Sequence, residues 1–252
     1  MPETSAVLVS LSSFGASEVR RHGQLWFARL AAQAGADGVE VRGELLVDGA
    51  AELPKIADAL SGLQRVYSSP ESLWDDDGKL DRAALDRGLS ATQCLGAPRL
   101  KMSIGGRRPS VESMAALRDR LSDTPIELVI ENDHATSAAT LAPFFDTAQA
   151  QGMLLGMTFD IGNWHWTGEC PLQAAAACAP RVRYVHCKGV QRERRQWIAV
   201  PLADSAAPWR AVLRAMPQGL PWGIEYPLAG DDLLAATRRE IDQLRRIARE
   251  MA

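Results

Sequence analysis

Residues 127–161 read ELVIENDHATSAATLAPFFDTAQAQGMLLGMTFDI and contain one complete strand–helix–strand unit. The apolar runs at 127–132 and 157–161 have the length and composition of buried strands. Residues 138–150 between them have the length and composition of a helix. Alternation of this kind is typical of βα units built around a parallel sheet.

The same alternation continues in both directions from this segment. Strands are predicted at 6–14, 38–42, 65–69, 99–104, 127–132, 157–161, 182–187 and 222–226. Helices are predicted at 17–34, 50–63, 81–95, 110–121, 138–150, 171–178, 207–216 and from about 232. Eight units in 252 residues average about 31 residues each, which matches the ~250 residues of a (β/α)8 barrel. We therefore predict an α/β fold, a (β/α)8 TIM barrel, with one domain over residues 1–252.

The rival fold is a doubly wound open sheet. Its dinucleotide-binding form needs a GxGxxG turn after the first strand. Residues 11–15 read LSSFG instead, which favours the barrel.

Composition and charge narrow the class of protein. The chain has 28 basic and 31 acidic residues, a net charge of −3, which argues against a nucleic-acid partner bound through overall positive potential. Its apolar runs are interrupted well before the ~20 residues that a membrane span needs. Residues 1–5 carry no basic side chain, and the four cysteines show no CxxC spacing. We expect a cytoplasmic protein with reduced, structural thiols.

Chemistry in such barrels is built at the C-terminal ends of the strands. Strands five to eight end at Glu131, Asp160, His186 and Glu225, each after an apolar stretch. Charges in such places are costly unless they are paired or coordinated. Taken singly, each acid could be a strand cap or a salt-bridge partner. As a set on consecutive strands, the three carboxylates and one imidazole predict a divalent metal site.

Four ordered motifs carry a family resemblance: VIEND at 129–133, TFDIGNWHW at 158–166, VRYVHCKG at 182–189 and WGIEYP at 222–227. In this order the chain resembles the xylose-isomerase-like TIM barrels of sugar isomerases and epimerases. The resemblance implies one divalent cation, Mn²⁺, Mg²⁺, Co²⁺ or Zn²⁺, held by Glu131, Asp160, His186 and Glu225. It also implies a small carbohydrate substrate and allows a homo-oligomer.

The resemblance further implies a mechanism. Glu131 and Glu225 would be catalytic, one removing a proton beside the carbonyl of a bound keto sugar and the other delivering it. A carboxylate can do this only if the developing enediolate is stabilised, which a cation provides. The hydride-shift branch uses a second metal with an Asp-x-Asp pair, and CKGVQRERR after His186 has none. The predicted function is therefore a metal-dependent isomerase or epimerase of a small keto sugar or derivative.

Five further residues are predicted to bind substrate: Lys188, Arg192, Glu40, Trp164 and His134. Lys188 lies two residues beyond His186 and so shares its strand face. Arg192 matches a substrate-contacting arginine of the epimerase branch, or belongs to a solvated basic run. Glu40 would bind hydroxyl groups, or form an internal salt bridge with Arg42. His134 is either a neighbour of the ligands or a loop residue.

Tryptophans after strand six are expected to face a sugar ring. Trp164 or Trp166 would form an apolar wall against it, although tryptophans also cap barrels. Two positions depart from the ketose 3-epimerases: Asn163 stands where they carry a histidine, and Gly189 follows His-x-Lys where aspartate is frequent. Substrate identity is therefore left open by the sequence.

Three other functions share the scaffold. A metal-dependent lyase, such as an inosose or dehydroshikimate dehydratase, would remove the same proton and then expel a hydroxyl. A non-catalytic sugar-binding barrel could keep the same residues. The DNA-repair endonuclease branch needs a multi-zinc cluster rich in histidine, and four histidines in the whole chain argue against it.

Overall fold

The computed structural model describes residues 5–105 and 109–251. Within these ranges the strands, in chain order, are β1 (Val7–Ser10), β2 (Gly38–Arg42), β3 (Gln64–Trp74), β4 (Arg99–Gly105), β5 (Glu127–Glu131), β6 (Gly156–Asp160), β7 (Val182–Cys187), β8 (Gly189–Glu193), β9 (Gln196–Val200) and β10 (Trp222–Ile224). Eight of them form a closed parallel barrel in the order β1-β10-β7-β6-β5-β4-β3-β2. The predicted (β/α)8 TIM barrel is confirmed. The predicted domain limits of 1 and 252, like most of the segment 1–5 that lacks basic residues, lie outside the described residues.

Helices connect the strands on the outside of the barrel. They are α1 (Ala16–His22), α2 (Gln24–Gln33), α3 (Gly49–Ala59), α4 (Arg82–Leu95), α5 (Val111–Ser122), α6 (Ala138–Ala150), α7 (Pro171–Cys178), α8 (Trp209–Arg214) and α9 (Leu233–Met251). Local capping sets their ends: the Asp81 side chain accepts a hydrogen bond from Ala84 N, and Gly96 ends α4 at φ +62°. None of the described helices is long and apolar enough to cross a membrane.

Several observed elements differ from the predicted ones; for example, the helix predicted at 50–63 ends at Ala59. The helix predicted at 17–34 is two helices, because Gly23 adopts φ +79° between them. The first strand stops at Ser10, and the third continues to Trp74 past a register shift. The last barrel strand ends at Ile224, so Glu225 lies just beyond it.

An antiparallel hairpin, β8–β9, was not predicted. Glu193 pairs with Gln196 across a two-residue turn, in which Arg194 has φ +53°. Hairpin turns of this length normally carry glycine or asparagine. Because two arginines occupy this turn, the sequence resembles an exposed basic run instead of a hairpin.

The barrel interior contains a small apolar cluster of its own. Leu8, Val66 and Tyr184 form a buried cluster inside it, separate from the larger core between strands and helices. The Tyr184 ring lies edge-on to His186, with ring centroids 4.9 Å apart. The Tyr184 ring thus packs against His186, one of the strand-end residues.

Gly223→Ala should destabilise the barrel. A Cβ at Gly223 would lie 2.1 Å from the Tyr184 hydroxyl oxygen, inside a closed interior where the ring cannot withdraw. Overpacking of this kind costs about 1–3 kcal/mol in the free energy of unfolding, measurable by urea denaturation. Gly49→Ala is the control, because its Cβ would meet only ordinary contacts. Adding Tyr184→Phe should recover part of the loss; a Gly223→Ala variant as stable as wild type would contradict the described packing.

Candidate metal centre

Four strand-end side chains converge at the C-terminal mouth of the barrel. Glu131 ends β5, Asp160 ends β6, His186 lies near the end of β7, and Glu225 follows β10. Their facing atoms all lie within 4.8 Å of one another. His186 Nδ1 is 2.8 Å from Glu131 Oε1, 2.8 Å from Glu225 Oε2 and 3.6 Å from Asp160 Oδ2. The structure therefore brings together the four residues that the sequence pointed to as metal ligands.

The four facing atoms have the character of metal-ligand atoms. Glu131 Oε1, Asp160 Oδ2, His186 Nδ1 and Glu225 Oε2 are buried and accept or donate no well-formed hydrogen bond within the described residues. Lys188 Nζ lies 2.9 Å from two of these oxygens, but as an ion pair without hydrogen-bond geometry. Buried polar atoms in folded proteins are normally satisfied. A divalent cation among them would give all four a partner, so the residues present fit such an ion.

The donor set is one imidazole nitrogen and three carboxylate oxygens. Imidazole suits Zn²⁺ and other transition metals, whereas carboxylates suit Mg²⁺ and Mn²⁺. The mixture fits the group of ions Mn²⁺, Co²⁺, Zn²⁺ and Mg²⁺ without selecting one of them.

Asp160 is held by the backbone around it. Its Oδ1 accepts hydrogen bonds from the backbone N–H groups of Gly162 and Asn163, each at 2.8 Å. The Asn132 side chain bonds both the N–H and the C=O of Asp160. These contacts fix the carboxylate so that Oδ2 faces His186.

The two glutamates are each held through one oxygen. Lys101 Nζ donates to Glu131 Oε2 at 2.8 Å, and Arg42 Nη1 donates to Glu225 Oε1 at 2.8 Å. The other oxygen of each glutamate faces His186 Nδ1. The Lys101 or Arg42 side chain therefore holds one oxygen of each glutamate and directs the other oxygen toward His186.

The pKa values of the site reflect burial and the surrounding charges. Burial lowers the pKa of His186, but the carboxylates of Glu225 and Glu40 more than offset this and raise it well above its usual value. Burial raises the pKa of Glu131, yet Lys101 and His186 bring it down to about 2. The pKa of Asp160 is raised, mainly by burial, in spite of Lys188. The same negative field that favours a proton on His186 favours a divalent cation at Nδ1.

The residues predicted to bind substrate occupy different places. Lys188 is mostly buried at the site, and it also donates to Asn163 Oδ1 at 3.0 Å. Arg192 lies exposed on β8, over the ring of Trp197 at 5.7 Å. Neither geometry tests a contact with substrate, which stays a prediction for both.

The aromatic residues and Glu40 are distributed between the rim and the interior. His134 is exposed and stacks on Trp166 at 4.4 Å and 12°. Trp164 is fully buried against Phe159, with no surface exposed to the cleft. Glu40 is also fully buried and pairs with Arg42 at 3.0 Å, which favours an internal salt bridge over binding of substrate hydroxyl groups.

A cleft of about 240 Å³ opens beside Glu225. It is lined by Ser12, Ser13, Gly15, Lys188, Ala199, Glu225, Tyr226 and Pro227. This volume is smaller than the ~300–1,000 Å³ of drug-sized ligand sites. The cleft therefore suits a small molecule.

Sequence reasoning missed the roles of Lys101 and of the hairpin in this site. Lys101 is the third residue of β4 and follows a single apolar residue, Leu100, so it lacks the strand-end signal of the proposed metal ligands. Ala199 reaches the cleft from β9, whose existence was not predicted. Ser12 and Ser13 lie in the turn that follows β1.

Comparison with known proteins defines the class to which this fold and site belong. A family model described as xylose isomerase-like TIM barrel matches residues 28–247, and the chain belongs to this family. None of the curated proteins compared with it matches the sequence.

Solved structures with the same fold include enzymes of more than one kind. D-allulose 3-epimerase from Methylomonas sp., in complex with D-allulose, superposes with a TM-score of 0.65 at 15% identity, covering 97% of this chain and 98% of that chain. The probable 3-DHS dehydratase AsbF from Bacillus anthracis gives 0.66 at 12% identity, covering 95% and 98%. The 3-keto-D-glucoside 4-epimerase YcjR from E. coli gives 0.62 at 12% identity, covering 96% and 99%. At these identities the likeness shows the fold.

Proposed function

We propose that this protein is a metal-dependent isomerase or epimerase of a small keto sugar or sugar derivative. One observation carries the proposal: Glu131 and Glu225 both place an oxygen 2.8 Å from His186 Nδ1 and both keep exposed surface, 13% and 12%. Asp160 and His186 are fully buried. Two of the four side chains thus keep exposed surface, although their facing oxygens are buried, and the other two keep none.

This difference in side-chain exposure assigns different roles to the four residues. Glu131, Asp160, His186 and Glu225 would hold one divalent cation. When bound, the cation supplies Lewis-acid stabilisation of the negative charge that develops on substrate oxygens. Asp160 and His186 would only hold the cation, whereas Glu131 and Glu225 would also face the substrate.

Proton transfer is assigned to the two glutamates because each places one carboxylate oxygen 2.8 Å from His186 Nδ1. Lys101 and His186 lower the pKa of Glu131 in spite of its burial, so its carboxylate is ionised at neutral pH, as a proton acceptor must be. One carboxylate removes the proton beside the carbonyl, and the other returns a proton to the substrate. Return to the opposite face of the same carbon gives epimerisation; return to the neighbouring carbon gives isomerisation.

Substrate hydroxyl groups would be bound by the polar groups of the cleft. Lys188, Ser12 and Ser13 line it and can donate hydrogen bonds. Arg192 and the His134–Trp166 stack belong to the rim and would contact the outer part of the molecule. The D-allulose bound in the similar epimerase structure supports a ketose of this size.

The proposal is tested by incubating the protein with Mn²⁺ and a panel of ketoses in D₂O. The expected product is an isomer of the substrate in which one deuterium replaces the hydrogen on the reacting carbon. A product lighter by one water would establish the lyase, which the similarity to a dehydratase makes the second candidate. Binding of a ketose without any deuterium exchange would establish a sugar-binding barrel and overturn the enzymatic proposal.

A further inference from the structure

We infer that Glu40 is a positioning residue that orients three of the four proposed metal ligands through one buried carboxylate. The inference rests on the metal-dependent function proposed above. Glu40 lies on β2, on the far side of His186 from the ligand atoms, and its side chain is fully buried. It therefore acts on the site through its neighbours and not on the substrate.

The first contact sets which nitrogen of His186 faces the ligands. Glu40 Oε2 lies 2.7 Å from His186 Nε2. An ionised carboxylate only accepts hydrogen bonds, so the imidazole proton belongs on Nε2 when the ring is neutral. The lone pair of Nδ1 is then directed at Glu131, Asp160 and Glu225. A carboxylate that holds the other nitrogen of a metal-binding histidine in this way is a recurrent device of metal sites.

The second oxygen of Glu40 connects the two glutamates. Glu40 Oε1 lies 3.0 Å from Arg42 Nη1 and 3.2 Å from Lys101 Nζ. The same Arg42 nitrogen donates to Glu225 Oε1, and the same Lys101 nitrogen donates to Glu131 Oε2. One carboxylate thus fixes the two cations that orient the catalytic glutamates.

The charge balance explains why a carboxylate is needed here. Lys101 is 1% exposed, so its ammonium group depends on Glu131 and Glu40 for compensation. Without the charge of Glu40, Lys101 would be compensated by Glu131 alone, and Arg42 by Glu225 and the partly exposed Glu44. Lys101 and Arg42 would then attract the two glutamate carboxylates more strongly, which would weaken metal binding by these glutamates.

The test compares Mn²⁺ affinity of wild type and Glu40→Gln by isothermal titration calorimetry, with the metal alone as ligand. The amide keeps the shape of the side chain but removes its charge and can donate to Nε2. Changes at such supporting residues typically cost 10–100-fold in metal affinity, and we expect a loss in this range. The control is Glu44→Gln, which removes another partner of Arg42 at 35% exposure. Its affinity should stay within about two-fold of wild type.

A spectroscopic measurement on wild type needs no variant and so survives a folding defect. The protein is labelled with ¹⁵N-histidine and loaded with Zn²⁺. Its ¹⁵N NMR spectrum should then show His186 with a proton on Nε2 and the metal on Nδ1. The reverse assignment would overturn the inference, as would a Glu40→Gln protein with unchanged Mn²⁺ affinity. Absence of divalent-cation binding by wild type would instead refute the proposed function.

Discussion

Glu131→Gln and Glu225→Gln should each slow the incorporation of solvent deuterium into a ketose by at least ~100-fold, because general acid–base catalysis contributes about 10²–10⁴-fold. Glutamine keeps an oxygen that can still ligate a cation, but its amide cannot accept a proton. Because the proposed mechanism uses the two glutamates in sequence on one substrate, either change should suppress complete turnover. The measurement is deuterium exchange followed by NMR, with each variant saturated with Mn²⁺.

The control for this prediction lies on the same strand. Glu127 begins β5, at the opposite end from Glu131, and pairs with Arg99 at 2.8 Å. Glu127→Gln should leave exchange unchanged. Full turnover in either site variant would remove that glutamate from the proton-transfer role while leaving its role as a ligand intact.

Removal of divalent cations should abolish turnover and lower the stability of the fold. A ligand present at 100 times its Kd adds about 2.7 kcal/mol to the free energy of unfolding, and EDTA should remove this contribution. The physical cause is the group of three carboxylates around one imidazole, whose facing atoms lack good hydrogen bonds. Both effects should be reversed by excess Mn²⁺, followed by urea denaturation and by ketose turnover.

Asp160→Asn provides the matched control for cation removal. Its side-chain oxygen can still accept from the N–H groups of Gly162 and Asn163, while the amide replaces the oxygen that faces His186. The stability of this variant should no longer respond to EDTA or Mn²⁺. If wild type and Asp160→Asn respond equally to both reagents, the cation binds elsewhere in the protein.

The barrel could be predicted because each of its units is a local pattern. Apolar runs such as 127–132 and 157–161 are too short for helices, and the intervening segments have helical length. The errors lie where a single residue changes the backbone. Gly23 divides one predicted helix into two. Arg194 forms a hairpin turn with a positive φ, a backbone conformation that residues other than glycine rarely adopt.

The proposed ligands could be recognised because charged groups end apolar strands, and the barrel brings all strand ends to one mouth. Their supporting residues could not be assigned roles in the same way. Glu40 and Lys101 come from β2 and β4, which are not hydrogen-bonded neighbours and lie 61 positions apart in the chain. Nothing in either local pattern indicates that both side chains turn inward and meet.

The sequence by itself determined the fold, the family and the four residues that end strands five to eight, because periodicity and strand-end chemistry are local properties. Only the tertiary structure decided which oxygen of each carboxylate faces His186 and which Lys or Arg side chain holds the other oxygen. It also decided that Trp164 is buried while the Glu131 and Glu225 side chains keep exposed surface. Those features depend on how non-neighbouring strands pack inside a closed barrel. Distance and burial there are set by the whole chain.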